Sequence, residues 1–309
     1  MKFTQAGVVV CLACAMCGCG AKPGAAPEKP KVIGAALLTQ THVFYQDMVA
    51  AMEEEAQKQG FKLRLQYAEF DSQKQINQIE TFIAQGVDAI IIAPTDSSGM
   101  APVIAAARAK NIPVFTADIA AHGANVVSHI ASDNVRGGAL LAEYLAKRLN
   151  HKGKIAIIDH PTVASVQERT KGFIQALAKY PEMQIVQKVP GEGQRDKAMR
   201  VTQDLLQAHP DISAIFGIND DSALGALAAV ESAGLQDKIV IVGFDGTPEA
   251  EAAIAAGKAL KADAVQYPKK IGQKTIEVIA ACLRGEKVPP VSPVDVGLID
   301  EAALKGTKP

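Results

Sequence analysis

Ile239-Val240-Ile241-Val242-Gly243-Phe244-Asp245 is a short apolar run that ends on a carboxylate. Upstream, Ile112-Pro113-Val114-Phe115-Thr116-Ala117-Asp118 has the same shape. Runs that are apolar at nearly every position, rather than at every second one, suit strands covered on both faces, the habit of parallel sheets. The segments before them echo each other too. Ala89-Ile90-Ile91-Ile92-Ala93-Pro94-Thr95-Asp96-Ser97 and Ser213-Ala214-Ile215-Phe216-Gly217-Ile218-Asn219-Asp220-Asp221-Ser222 each pass from strand into polar loop and helix. Two such echoes describe two similar lobes, not one large sheet.

The pattern extends outward in both directions. Further apolar runs predict strands at 32–38 and 155–158. Apolar spacings of three and four predict helices at 45–59, 73–85, 100–110, 134–149, 166–179, 197–208 and 221–233. Strand and helix in alternation is the α/β pattern. The expected fold is two similar Rossmann-like lobes with parallel sheets.

Composition agrees. The chain has 309 residues, 48% hydrophobic and 21% charged, enough to fill a core and too apolar for extended disorder. At roughly 150 residues per domain, the length suits about two domains. Lys plus Arg is 32 against 33 for Asp plus Glu, so the basic excess of a nucleic-acid binder is missing. There is no Trp and aromatics are 5%, thin for stacking on many bases.

Cys11, Cys14, Cys17 and Cys19 cluster near the N-terminus, and Cys282 lies far away. The cluster resembles part of an iron–sulfur run, but no loop chemistry surrounds it to splay thiolates around a metal. Lys2 followed by the apolar run 6–17 reads instead as a signal peptide, too short for a spanning helix. Met16-Cys17-Gly18-Cys19 resembles a bacterial lipobox, with Leu12-Ala13-Cys14 a weaker competing site. Residues 1–18 are thus expected to be a lipoprotein signal, Cys19 the lipidated residue, and the Pro, Gly and Ala-rich stretch 19–31 a tether. Cys282, in an apolar run, reads as a small buried side chain.

Ligands of open α/β sheets bind at the carboxyl ends of strands. There the sequence places His42, Phe44 and Tyr45, then Asp118, Asn219, Asp245 and Gln266; Arg169 falls in the first turn of a helix, where the dipole disfavours a cation. Carboxylates that accept from adjacent hydroxyls, a guanidinium fork, amides and flat aromatics suit a polyhydroxylated ring. Each residue has a plainer reading. Asp220, Asp221 and Asp96 can cap helices, Phe44 and Tyr45 can be core, and Glu53-Glu54-Glu55 is a solvated helix face. No dinucleotide or P-loop fingerprint appears, no G-x-S-x-G, and no paired-histidine metal spacing. No cofactor, metal or catalytic role is expected.

These residues resemble a known family, the periplasmic sugar-binding proteins of ABC importers in the ribose-binding group. The resemblance spans residues 31–299. Its most specific stretches are Ala93-Pro94-Thr95-Asp96-Ser97, Val127-Ser128-His129-Ile130-Ala131-Ser132-Asp133-Asn134, Asn219-Asp220 and Val242-Gly243-Phe244-Asp245-Gly246-Thr247-Pro248. LacI-type repressors share the fold, but here a signal and tether stand where their helix-turn-helix would be. The resemblance implies lobes 32–132 plus 267–295 and 133–266 plus 296–309, joined by a hinge of three crossovers near Ser132 to Asn134, Gln266 to Tyr267, and Asp295. It implies Phe44 and Tyr45 as aromatic covers, and Asp118, Ser132, Arg169, Asn219, Asp245 and Gln266 as hydrogen-bonding groups. It also exposes departures: His42 and Ala93 where ribose binders have Asn, Ile119 for an Arg, and Gly193 for an aromatic. These argue against ribose and for a larger ring, a less hydroxylated one, or a ligand that uses His42.

The expected protein is a monomeric, lipid-anchored solute-binding protein of the cell envelope. It would sit in the periplasm or on the outer face of the cytoplasmic membrane. There it would deliver a small sugar or polyol to an ABC permease and its ATPase. The alternative is an envelope sensor that presents a sugar or furanosyl signal to a chemoreceptor or sensor kinase.

Overall fold

The computed structural model describes residues 1–3 and 29–306. Residues 4–18 of the expected signal, Cys19 and most of the tether lie outside the described residues. Among the described residues no helix is long and apolar enough to cross a membrane.

From residue 31 onward the chain alternates strand and helix as its pattern requires. The first half runs β1 (Val32–Leu37), α1 (Val43–Lys58), β2 (Lys62–Tyr67), α2 (Ser72–Gln85), β3 (Ala89–Ile92), α3 (Ala101–Ala109), β4 (Val114–Ala117) and β5 (Ser128–Ser132). Then follow α4 (Asn134–Arg148), β6 (Lys152–Asp159), α5 (Ala164–Leu177), β7 (Glu182–Pro190), α6 (Arg195–Ala208), β8 (Ala214–Gly217), α7 (Asp220–Ser232), β9 (Val240–Asp245), α8 (Pro248–Ala255) and β10 (Leu260–Val265). The chain ends with α9 (Pro268–Leu283), β11 (Val291–Val294), β12 (Gly297–Asp300) and α10 (Glu301–Gly306).

The strands form two six-stranded sheets, ordered β11-β5-β4-β3-β1-β2 and β12-β10-β9-β8-β6-β7. Every pairing is parallel except β10 with β12. The two orders correspond strand for strand, which is the echo heard in the sequence. The chain changes sheet between β5 and β6, between β10 and β11, and between β11 and β12.

Both faces of each sheet are covered. On β3, Ala89 and Ile91 face one apolar cluster while Ile90 and Ile92 face another. On β6, Ile155 and Ile157 divide from Ala156 and Ile158 in the same way. This explains runs without alternation. The edge strands differ: β2 alternates exposed and half-buried residues, so its sequence never looks like an apolar run. The glycines of α4 and α5 set a close helix crossing. A Cβ on Gly138 would stand 2.0 Å from the Arg169 carbonyl oxygen, and one on Gly172 would stand 1.9 Å from that of Val135.

One titratable group in the sheet bears on stability. His129 on β5 lies 2.9 Å through Nδ1 from Thr116 Oγ1, and burial pushes its imidazole from 6.5 down to about 4. The native state therefore favours the neutral ring. Stability is intact above the unfolded value of 6.5 and is lost as pH falls towards the folded value of about 4. The full loss is about 3 kcal/mol. Thermal unfolding of wild type and His129→Gln across that window should show the wild type losing more; parallel pH profiles would refute this.

Candidate functional site

The C-terminal ends of the two sheets face each other across a cleft lined by residues from both. Hydrogen bonds also join the segments that follow the strands of one sheet to those of the other. The Ser97 amide donates to the Thr162 carbonyl at 3.0 Å, the Ala164 amide donates to Ser97 Oγ at 2.8 Å, and His122 Nε2 lies 3.0 Å from Gln167 Oε1.

Of the residues singled out in the sequence, His42, Phe44, Tyr45, Asp118, Arg169, Asn219, Asp245 and Gln266 line this cavity. Ser132 is not among its lining residues. It ends β5 buried, with no hydrogen-bond partner for its hydroxyl. Ala93 is buried at the end of β3 and is likewise absent from the wall, whereas Ile119 and Gly193 line it. Cys19 lies outside the described residues.

Two carboxylates and one guanidinium form the polar heart. Tyr45 Oη donates to Asp118 Oδ2 at 2.7 Å. Gln266 Nε2 donates to Asp245 Oδ1 at 2.7 Å, and Arg169 Nη1 stands 3.6 Å from the same oxygen. Arg169 is fixed from several sides. Its Nε donates to Asn134 Oδ1 at 2.9 Å, its Nη1 donates to the Ile218 carbonyl at 2.8 Å, and its guanidinium lies 3.9 Å from the centre of the Phe244 ring. Helix α5 begins at Ala164, so Arg169 sits in its second turn. The expectation of a first-turn cation opposed by the helix dipole is corrected. The buried carboxylates and Asn134 account for the arginine.

Burial pushes both Asp118 and Asp245 up, Asp245 well above the usual carboxylate range, and Arg169 pulls both back. Burial and the neighbouring Asp118 also raise the Tyr45 hydroxyl well above 10.0, so it stays a donor. Two acceptors on the cavity wall remain unused: Asp118 Oδ1 and Gln266 Oε1 are buried and have no partner. The backbone is unusual at both acids, with φ 65° at Asp118 and 138° at Asp245. Non-glycine residues seldom adopt such angles, and those that do gather at functional sites.

Asn219 is partly committed to structure. It caps α7 by accepting from the Ser222 amide at 2.9 Å, while its Nδ2 donates to the Gly193 carbonyl at 3.2 Å. Asp220 and Asp221 occupy the first turn after that cap. Asp96 accepts from the Ser98 and Gly99 amides in the turn before α3, whose N-cap is Met100, so it closes a turn and does not cap the helix. Phe44 and Tyr45 meet edge to face at 5.4 Å. The His42 ring lies 5.5 Å from Phe70, and its Nε2 lies 3.3 Å from Asp221 Oδ2 at the start of α7. Burial pushes the His42 imidazole down against the pull of Asp221.

The cavity also holds residues that the sequence reading passed over. Phe70, Val163, Val166 and Ile218 supply apolar wall, and His160 supplies a second imidazole. His160 has no metal-ligand spacing in the sequence. Its signal is position, directly after the end of β6. Among the described residues no group of three potential ligands is placed to hold a metal ion.

A model of the periplasmic binding protein domain matches residues 33–287. The ribose import binding protein of Bacillus subtilis is 38% identical over 270 residues, covering 87% of this chain and 87% of that protein. A xylitol-binding protein of Mycolicibacterium smegmatis is 32% identical over 241 residues, 77% of this chain and 68% of that one. Among solved structures, an ABC transporter periplasmic solute-binding protein from Actinobacillus succinogenes with bound D-allose superposes with a TM-score of 0.81. It is 32% identical and covers 90% of this chain and 100% of its own.

Proposed function

The chain belongs to the periplasmic binding protein family, and from that premise we propose that it captures a small sugar or polyol for an ABC importer. The observation that carries this reading is the pair of buried, unpartnered acceptors Asp118 Oδ1 and Gln266 Oε1 on the cavity wall. A buried acceptor left unmet costs ~1–3 kcal/mol. A ligand whose hydroxyls donate to these oxygens removes that cost, and a dry or aprotic ligand does not. Phe44 and Tyr45 cover the ring's C–H face, and Arg169 donates between the two acids.

Residues 32–132 with 267–295 form one closing body, and residues 133–266 with 296–309 form the other. Movement is carried by Ser132 to Asn134, Gln266 to Tyr267, and Asp295. Cys19 carries the lipid that holds the protein at the envelope membrane; incorporation of labelled fatty acid, lost in Cys19→Ser, tests that part. The relatives that bind ribose, xylitol and D-allose support the ligand class.

Calorimetric titration with D-ribose, D-allose, xylitol and myo-inositol tests the function. At least one should bind in the micromolar range or tighter. At a hundredfold excess over Kd that ligand adds about 2.7 kcal/mol to the folded state, visible as a raised Tm. Silence from all four at millimolar concentration would end the reading. Ribose is not expected to be the tightest, because Ile119 and Gly193 bring no polar or aromatic side chain to the wall.

A further inference from the structure

The strand orders set equivalent strand ends opposite each other. β4 corresponds to β9, and those strands lead to Asp118 and Asp245. β1 corresponds to β6, and His42 and His160 follow those two. One strand in each sheet, β3 or β8, separates the acid pair from the imidazole pair. Two strand spacings amount to about 9–10 Å. A single hydroxyl cannot serve both ends, yet all four side chains line one cavity.

The two imidazoles are not equally free. His42 Nε2 is engaged with Asp221. Neither ring nitrogen of His160 has a hydrogen-bond partner among the described residues, whereas His122 and His209 pair with Gln167 and Gln187. Space for the His160 ring comes from Gly193. A Cβ there would stand 3.6 Å from His160 Nδ1 and 3.4 Å from Asn219 Nδ2, so any larger side chain would compete with the ring for the cavity. Burial pushes the His160 imidazole down, against the pull of Glu192 and Asp159. The neutral ring offers one donor and one acceptor, which match a hydroxyl in either sense.

We propose that His160 is a specificity-determining residue of this cleft. It takes a hydroxyl or hydroxymethyl group at the end of the ligand ring remote from Asp118 and Asp245. The cleft thereby selects six-carbon polyhydroxylated rings, hexopyranoses or cyclitols, over five-carbon ones. The inference rests on the reading of the cleft as a sugar or polyol site. His160 also supplies a flat face where Gly193 supplies none.

The test compares D-allose and myo-inositol with D-ribose, whose pyranose form is that of D-allose without the hydroxymethyl group. In wild type, D-allose or myo-inositol should bind at least tenfold more tightly than D-ribose. His160→Phe keeps a flat ring and removes both nitrogens. It should weaken the preferred six-carbon ligand tenfold or more and change D-ribose by less than threefold. His160→Gln, which restores a donor and an acceptor, should recover part of the loss and guards against a Phe variant that misfolds, as monitored by Tm. Tightest binding of D-ribose by wild type, or a six-carbon preference that survives in both variants, would overturn the proposal and leave the polyol site standing. If wild type binds none of the three, the reading of the cleft falls, and this inference falls with it.

Discussion

Asp118→Ala is expected to weaken polyol binding about 100-fold or more and to leave a folded protein. Asp118 has one oxygen bonded to Tyr45 and one buried without a partner. Truncation removes the ligand's acceptor and strands the Tyr45 hydroxyl. Removing one partner of a buried, charge-assisted contact costs ~2–5 kcal/mol, and 2.7 kcal/mol is already a hundredfold. The fold loses little, because the deleted carboxylate is itself a buried group held against its solvation. The backbone at φ 65° adds about 1 kcal/mol of strain to an alanine there. Asp118→Asn separates the two effects, since asparagine tolerates this region. Calorimetry should place the Asn variant between Ala and wild type, with Tm close to wild type. Wild-type affinity in both variants would remove Asp118 from the site.

Gly138→Ala should be strongly destabilising, as should Gly172→Ala at the same helix crossing. The carbon added at Gly138 would fall 2.0 Å from the Arg169 carbonyl oxygen, a backbone atom with no rotamer to escape into. Helices α4 and α5 must then part by more than an ångström. Overpacking of this kind costs about 3 kcal/mol, which is a Tm decrease of roughly 6–12 °C for a body of this size. The peptide that is pushed also carries the guanidinium, so affinity should drop as well. Gly99→Ala is the control, because its Cβ would meet nothing closer than 3.7 Å. Equal melting of Gly138→Ala and Gly99→Ala would show that the crossing relaxes freely.

The strands that carry the acids were legible because they are buried on both faces. Apart from Thr116 the runs before Asp118 and Asp245 carry no polar side chain, and a carboxylate that ends such a run stands out. Strands β2 and β7 were not legible, because edge positions admit Lys62, Arg64 and Glu182 on an exposed side. Arg169 is legible as a residue but not in its place along the helix, because Ala164 and Ser165, which begin α5, are too small to mark a helix start. His160 escaped because a lone histidine has no spacing to read. Its meaning comes from Gly193, a neighbour brought near only by β7 and its loop. The two unpartnered oxygens are facts of packing, which no residue type announces.

The correspondence of the two sheets has a consequence for how the chain acquires its shape. Strand β5 gains its outer neighbour only when Val291–Val294 arrives, and His129 then pairs with Val291. Strand β10 likewise waits for Gly297–Asp300. Until those strands are in place, β5 and β10 are themselves bare edges of unpaired amides and carbonyls. Closure over such separations is slow, because the loop entropy is lost before the contacts form. The final strands thus complete both sheets at once, and a chain interrupted before them has neither lobe finished.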